Sequence, residues 1–294
     1  MNVFTIKDLE NLSGIKAHTI RIWEQRYNFL KPCRTETNIR YYCNQELKTI
    51  LNISLLNKYG YKISQIDKMS EEELMTRIFS LSAKEAREEK ILNDLIIHMI
   101  DLDIELFEQL LDHYILANGI DAAMRQVIFP FLHRIGILWL TNHIHPAQEH
   151  LVSNVIRQKL MVGIEKATSP SPTDVPRTIL LFLPEGEYHE LGLLYVYYLL
   201  KSHGARVLYV GADMPLKDLE FVCKFKNPDY LYTHLTGIAG SFNFEKFLSE
   251  TSRRIPDIPL VISGQLARTQ MRKIPPGVNF KRSLPEVQEF IATL

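Results

Sequence analysis

The sequence predicts a multidomain protein of α and α/β class, with a winged helix-turn-helix head, a helical bundle and a sheet of five parallel strands. Three observations predict this order. Two short helices flank Ser13-Gly14, apolar residues recur at helical spacing from about 70 to 168, and strands then alternate with helices. The 294 residues have room for two or three domains. We expect the domains at 1–70, 71–168 and 177–294, with a Ser- and Pro-rich linker at 169–176.

The head begins with a helix for which Thr5 is the predicted N-cap, and a second helix follows over about 16–27. A hairpin wing over about 34–42 and helices over about 44–58 and 62–68 complete it. Residues 1–68 carry eleven Lys and Arg against six Asp and Glu, whereas residues 69–168 carry nine against fifteen. A small basic head on an acidic body indicates a polyanionic partner.

Several side chains of the second helix and the wing suit base edges and phosphates of double-stranded DNA. These candidate DNA-binding residues are Lys16, His18, Thr19, Arg21, Arg26, Tyr27, Arg34, Arg40 and Tyr41. A helical protein-binding module with a basic face is the alternative interpretation.

The segments Thr19–Tyr27, Leu30-Lys31-Pro32 and Asn38–Tyr42 resemble the MerR family of winged-helix regulators, and the resemblance covers about residues 3–68. It implies operator binding, with Ile20, Trp23 and Leu30 in the core. MerR metal sensors continue with a long dimerisation helix and metal-binding cysteines, and neither occurs here. Oligomerisation is therefore expected from the C-terminal body.

The bundle is predicted to contain four or five helices, with Pro130 marking a kink and Pro146 a helix start. Beyond the linker, five strand–helix units predict a doubly wound parallel sheet, which is flavodoxin-like (Rossmann-like). The strands are expected near 178–183, 206–210, 229–235, 258–263 and 277–281. The helices are expected over 189–203, 215–225, 242–253, 265–272 and 284–293.

The first of these strands ends at Pro184 and is followed by an E-x-H-x-x-G motif that comprises Glu187, His189 and Gly192. In an open α/β sheet this is the carboxyl edge, where ligands bind. A histidine beside a carboxylate has the arrangement of a metal ligand and the partner that orients it.

Upstream of the linker, Trp139 is followed by nine residues and then by Glu149-His150. Together with the E-x-H-x-x-G motif and the head, this spacing resembles the adenosylcobalamin-binding photoreceptor repressors of the CarH/LitR type across essentially the whole chain. The resemblance implies that bundle and sheet domain both contact a cobalamin, most simply adenosylcobalamin. His189 would be the lower axial cobalt ligand, and Gly192 would let the corrin or its nucleotide loop approach closely.

Two further motifs of that family have counterparts here. Thr233-His234-Leu235 stands for an S-x-L motif, and Ser263-Gly264-Gln265 stands for a Gly-Gly motif whose first glycine has become serine, so that a side chain reaches toward the nucleotide tail. In light-sensing relatives a histidine directly follows the tryptophan, whereas Leu140 stands here and His143 and His145 are out of register. The resemblance therefore leaves a light response open.

We expect a cytoplasmic DNA-binding repressor whose assembly, as dimer or tetramer, and operator affinity depend on bound cobalamin. A regulator that has lost cobalamin and uses its C-terminal body for oligomerisation or partner binding is the alternative. A cobalamin-dependent methyltransferase or mutase module would need a catalytic acid–base pair and a partner barrel, and the sequence shows neither, so no enzyme is expected. No run of about twenty apolar residues indicates a membrane span, and three cysteines without metal-ligand spacing fit a reducing compartment.

Overall fold

The computed structural model describes residues 3–81, 84–140, 144–168, 176–236, 242–269 and 275–294, without the side chains of 137–140 and 269. The described residues form two compact units, Met1–Ile156 and Arg157–Leu294. The predicted linker, apart from Pro176, lies outside the described residues. No helix among the described residues is long and apolar enough to cross a membrane.

The head follows the predicted order of helix, turn, helix and wing. Its elements are α1 (Ile6–Ser13), α2 (Ala17–Arg26), β1 (Cys33–Arg34), β2 (Arg40–Tyr41), α3 (Asn44–Lys58) and α4 (Ile63–Ile66). Thr5 caps α1, since its side chain accepts the Asp8 N–H while the Asp8 carboxylate accepts the Thr5 N–H. Ile20, Trp23 and Leu30 are 0%, 7% and 3% exposed, which confirms their expected place in the core.

Five helices follow in the region predicted as a bundle. They are α5 (Glu71–Phe79), α6 (Lys84–Asp101), α7 (Ile104–Ala123), α8 (Phe129–Leu140) and α9 (Pro146–Lys166), with a π-helical turn, Met124–Ile128, between α7 and α8. The expected helix start at Pro146 is present. The irregular backbone precedes Pro130, with Gly119 at φ 81° and then the π-helical turn. Proline has no N–H to donate and its ring crowds the carbonyl four residues earlier, so the wider π turn before it relieves the conflict.

The sheet has five parallel strands in the order β4-β3-β5-β6-β7, which confirms the predicted architecture. The strands are β3 (Thr178–Pro184), β4 (Arg206–Met214), β5 (Tyr230–His234), β6 (Leu260–Ser263) and β7 (Val278–Phe280). The helices are α10 (Leu191–His203), α11 (Leu216–Lys226), α12 (Phe244–Arg254), α13 (Gln265–Thr269) and α14 (Leu284–Ala292). β4 runs four residues beyond its predicted end, to Met214.

Apolar clusters on both faces hold the sheet between helices. One cluster joins Leu180 and Phe182 to α11 and α12, and the other joins Ile179 and Leu181 to α10 and α14. This alternation explains why β3 is apolar from Ile179 onward: both of its faces are buried there. All five strands end at the same edge, where the predicted motifs lie.

Candidate functional site

The loop after β3 carries the Glu187 and His189 pair. Glu187 is 1% exposed. Its Oε1 lies 2.6 Å from His189 Nδ1 and accepts the His189 backbone N–H at 2.9 Å. The His189 side chain is 66% exposed. In the tautomer that donates from Nδ1 to the carboxylate, the lone pair is on Nε2, which is the atom through which such a ring can coordinate a metal.

The residue after His189 anchors this loop. Glu190 lies 2.9 Å from an Arg157 guanidinium nitrogen and accepts a hydrogen bond from the Tyr209 hydroxyl at 2.5 Å. Burial and the neighbouring Glu190 carboxylate raise the pKa of Tyr209 well above its usual range, so the hydroxyl remains a donor. No sequence motif predicts a role for Arg157 or Tyr209. The signal in the sequence is Glu190, a carboxylate directly after His189 that needs partners in the fold.

Gly192 lies against the ring of His234 at the end of β5. A Cβ atom on Gly192 would be 2.3 Å from both Cδ2 and Nε2 of His234, which no packed structure allows. The group that lies against Gly192 is therefore the His234 ring of the same domain. The close approach of a corrin or its nucleotide loop stays a prediction.

Ser263 holds the His234 ring in that position. Its Oγ lies 2.8 Å from His234 Nδ1 and 2.8 Å from the Tyr232 hydroxyl. Tyr232 and Ser263 are 0% and 2% exposed. Desolvation lowers the pKa of His234 to about 4, and Glu187 opposes this shift while Arg268 adds to it. The ring is therefore neutral at pH 7, and the hydroxyl expected to crowd a nucleotide tail has two partners within the domain.

The remaining motif residues join the ends of β5 and β6. Leu235 is fully buried and donates its N–H to the Ser263 carbonyl at 2.9 Å. Gly264 has φ 96°, and a Cβ there would lie 2.3 Å from the Leu235 carbonyl oxygen, so no other residue fits. Thr233 Oγ1 is buried without a hydrogen-bond partner in the described part of the chain. The Gln265 side chain is exposed at the start of α13.

This edge suits a corrinoid in one respect and not in another. A single imidazole oriented by a carboxylate fits a cobalt ion whose equatorial positions belong to a macrocycle. Within the described ranges, no three His, Cys, Asp or Glu side chains gather as they would around a bare ion. The Thr233 hydroxyl would gain a partner from a polar ligand. In contrast, the space against Gly192 is already filled by His234.

Trp139, Glu149 and His150, the bundle residues predicted to contact cobalamin, lie in α8 and α9. The backbone of Trp139 belongs to α8, but its side chain and that of Leu140 are outside the described residues, as is all of His143. Glu149 accepts a hydrogen bond from Ser153 at 2.5 Å in the first turns of α9. His150 Nδ1 lies 3.5 Å from Glu149 Oε2, and the His150 side chain is 73% exposed.

The candidate DNA-binding residues divide into exposed and partly buried side chains. Lys16, His18, Arg21, Arg26 and Arg34 are exposed, and Thr19, Tyr27, Arg40 and Tyr41 are partly buried. Arg40 Nε lies 3.2 Å from Glu24 Oε2, and the Tyr42 hydroxyl donates to the same carboxylate. Arg34 donates to the Asn38 side chain at 2.7 Å. Arg40 therefore ties the wing to α2, whereas Arg21 and Arg26 present their charges to solvent.

Comparison with known proteins gives family matches in the head and in the helical bundle. Residues 4–73 match the family described as MerR HTH family regulatory protein, and residues 91–162 match the family described as B12 binding domain. The HTH-type transcriptional repressor CarA of Myxococcus xanthus is 28% identical over 92% of this chain and 89% of its own length. The HTH-type transcriptional repressor CarH of the same organism is 27% identical over 90% of each chain.

A solved structure resembles the fold. The Methanosarcina barkeri monomethylamine corrinoid protein covers 70% of this chain and 100% of its own, with a TM-score of 0.56 and 12% identity. At that identity the likeness concerns the fold alone.

The chain therefore combines a segment that matches MerR-type helix-turn-helix regulators with a segment that matches B12-binding domains. More particularly, it is a homologue of the transcriptional repressors CarA and CarH of Myxococcus xanthus.

Proposed function

We propose that this protein is a DNA-binding transcriptional repressor whose affinity for its operator is set by a bound cobalamin, with adenosylcobalamin as the form it takes. The observation that carries the proposal is the buried Glu187 that orients an exposed His189 at the carboxyl edge of a parallel sheet. The same chain matches a MerR head and a B12-binding domain, and its curated relatives are named repressors.

Each group of residues has a distinct role in this proposal. When bound, cobalamin would supply a cobalt ion with a coordination position open to a protein ligand. His189 would coordinate the cobalt, and Glu187 would hold the orientation of its ring. Trp139, Glu149 and His150 would recognise the adenosyl group. A response to light is not part of the proposal, because Leu140 follows Trp139.

Control of the operator follows from linkage. A ligand shifts DNA binding only by its differential affinity for two assemblies of the protein. We propose that cobalamin favours a dimer or tetramer in the cytoplasm, where paired heads gain affinity for paired half-sites through effective concentration. Within each head, Arg21 and Arg26 would contact phosphates.

Equilibrium dialysis and visible spectroscopy with adenosylcobalamin in the dark test the first half of the proposal. We expect saturable binding by the wild-type chain and a spectrum that changes on binding. His189→Ala should abolish the spectral change. Absence of binding by the wild-type chain would overturn the cobalamin assignment.

Salt-dependent DNA titrations test the second half. Arg21→Ala and Arg26→Ala should each weaken binding across sequences and lower the salt slope by about one unit, as expected for loss of a phosphate contact. Arg253→Ala removes an exposed positive charge from α12 and serves as the control. Equal behaviour of the three variants would contradict DNA binding through α2.

One observation favours a second candidate, a MerR-type regulator that has lost cobalamin and uses its C-terminal body for oligomerisation or partner binding. His234 fills the space against Gly192, and Ser263 secures it there. Wild-type protein that controls DNA without binding any corrinoid would establish this candidate. An enzyme has less support, since both curated relatives are named repressors.

A further inference from the structure

The imidazole of His234 occupies the cleft beside the proposed cobalt ligand. Gly192 is the second residue of α10 and follows His189 by three positions. The His234 ring comes so near the Gly192 backbone that no side chain fits between them, as the 2.3 Å distance from a Cβ on Gly192 shows. The ring therefore fills the gap between the end of β5 and the start of α10.

The ring is held in this gap by buried groups. Ser263 Oγ bonds to His234 Nδ1 and to the Tyr232 hydroxyl, both at 2.8 Å. Ser263 and Tyr232 are almost completely buried. Loss of the Ser263 bond would leave polar atoms without a partner in a desolvated site, so the ring is not displaced freely.

Ligation by His189 has a steric consequence for the ligand. If His189 coordinated the cobalt, the base of the ligand's own nucleotide could not coordinate it at the same position and would have to lie elsewhere on the domain. α10 begins at Leu191, two residues after His189, and Gly192 is the residue in its first turn without a side chain. A second aromatic ring and the His234 ring cannot share a close-packed gap.

We propose that His234 is a specificity gate, which cobalamin must displace to lodge its nucleotide and which a corrinoid without a nucleotide does not touch. This inference rests on the proposed function. It explains the serine at position 263, because the Ser263 hydroxyl hydrogen-bonds the His234 ring and holds it in the gap. It also accounts for the glycine at position 192, because the His234 ring in the gap leaves no room for a side chain there.

The test compares adenosylcobalamin with adenosylcobinamide, which carries the same upper group and lacks the nucleotide. Dissociation constants are measured by equilibrium dialysis in the dark for the wild-type chain, His234→Ala, Ser263→Ala and the control His203→Ala at the exposed end of α10. The decisive quantity is the change that each variant makes in the ratio of the two affinities. The wild-type ratio alone is not decisive, because it also depends on the free energy needed to detach the nucleotide base from cobalt.

We expect His234→Ala to raise the affinity for adenosylcobalamin about tenfold. The variant no longer has to break the hydrogen bond between His234 and Ser263, and one buried hydrogen bond corresponds to a factor of this order. The affinity for adenosylcobinamide should change by less than about twofold, within the error of such comparisons. Ser263→Ala should move the ratio in the same direction by less, and it keeps the test available if His234→Ala is poorly folded by circular dichroism. His203→Ala should leave the ratio unchanged.

Other outcomes overturn the gate in distinguishable ways. If the two affinities change together or not at all, the gate is wrong, while His189-dependent binding of both corrinoids leaves the proposed function intact. If no variant binds either corrinoid, both the gate and the cobalamin assignment are wrong.

Discussion

Two histidines at the same edge of the sheet differ in almost every property except their hydrogen-bonded nitrogen. His189, after β3, places Nδ1 2.6 Å from the Glu187 carboxylate, and its side chain is 66% exposed. His234, at the end of β5, places Nδ1 2.8 Å from the Ser263 hydroxyl and is desolvated.

The partner and the surroundings decide what each ring can do. A buried carboxylate orients the His189 ring, which is largely exposed, and this is the arrangement in which proteins orient a metal-binding histidine. A hydroxyl shared with Tyr232 fixes His234 without adding charge, and desolvation keeps that ring neutral. In the proposed function His189 is the cobalt ligand, whereas His234 fills the gap beside Gly192.

The largest expected effect comes from removing the histidine of the Glu187–His189 pair after β3. His189→Ala should weaken adenosylcobalamin binding by more than about 100-fold, because even a residue that only orients a ligand is worth about 10–100-fold. Equilibrium dialysis measures it, with His203→Ala as the control. Cobalamin affinity that is the same in His189→Ala and in the wild-type chain would mean that the exposed histidine is not the ligand.

The second effect is a loss of stability in acid that comes from His234. The pKa of His234 is about 4 in the folded chain, against 6.5 for an unperturbed histidine. Between these values the unfolded chain binds the proton, so the contribution is present above pH 6.5 and is lost as the pH falls toward 4. About 3 kcal/mol of stability should be lost over this window.

Urea unfolding followed by circular dichroism across this range measures the loss. His234→Gln, which cannot titrate but still offers an amide to Ser263, should flatten the profile relative to the wild-type chain. The same acid dependence in both proteins would show that His234 is not the desolvated group.

The third effect concerns the contact between Gly192 and His234. Gly192→Ala should destabilise the wild-type chain by about 2 kcal/mol through overpacking. In the His234→Ala background the same change should be tolerated, and even favourable by up to about 1 kcal/mol through helix propensity. The double-mutant cycle thus measures the contact itself.

Gly136→Ala in α8 is the matched control, since a Cβ there meets no heavy atom within 4 Å. It reports the gain from helix propensity without a clash. Additive effects of the Gly192 and His234 substitutions would contradict the described packing.

The smallest expected effect comes from replacing the Glu187 carboxylate by a neutral amide. Glu187→Gln should weaken adenosylcobalamin binding about tenfold, the lower end for a residue behind a metal ligand. Glu185→Gln, at an exposed position in the same loop, is the control. If both variants bind as the wild-type chain does, Glu187 does not tune His189.

The local features of both units could be predicted because short-range chemistry determines them. The Thr5 cap, the buried Trp23 and the apolar run of β3 are each set by neighbours in the chain. The position of His189 beside Glu187 follows from a spacing of two residues after a buried strand. Such a loop needs no distant partner to form the pair.

The contacts that decide the size of the cleft could not be predicted in this way. His234 and Ser263 are 29 residues apart, and they meet only because β5 and β6 pair in register. The sequence shows a serine in place of a glycine but not the ring that needs it. The link from Glu190 to Arg157 and Tyr209 likewise depends on tertiary packing.

The most direct test of the account is a DNA titration with a fragment of the gene's own promoter, with and without adenosylcobalamin, in the dark. For the wild-type chain we expect adenosylcobalamin to raise operator affinity by about tenfold, within the usual range of coupling between two sites. His189→Ala should bind the fragment without that increase. Saturating adenosylcobalamin that binds the wild-type chain and leaves its operator affinity unchanged would contradict the account.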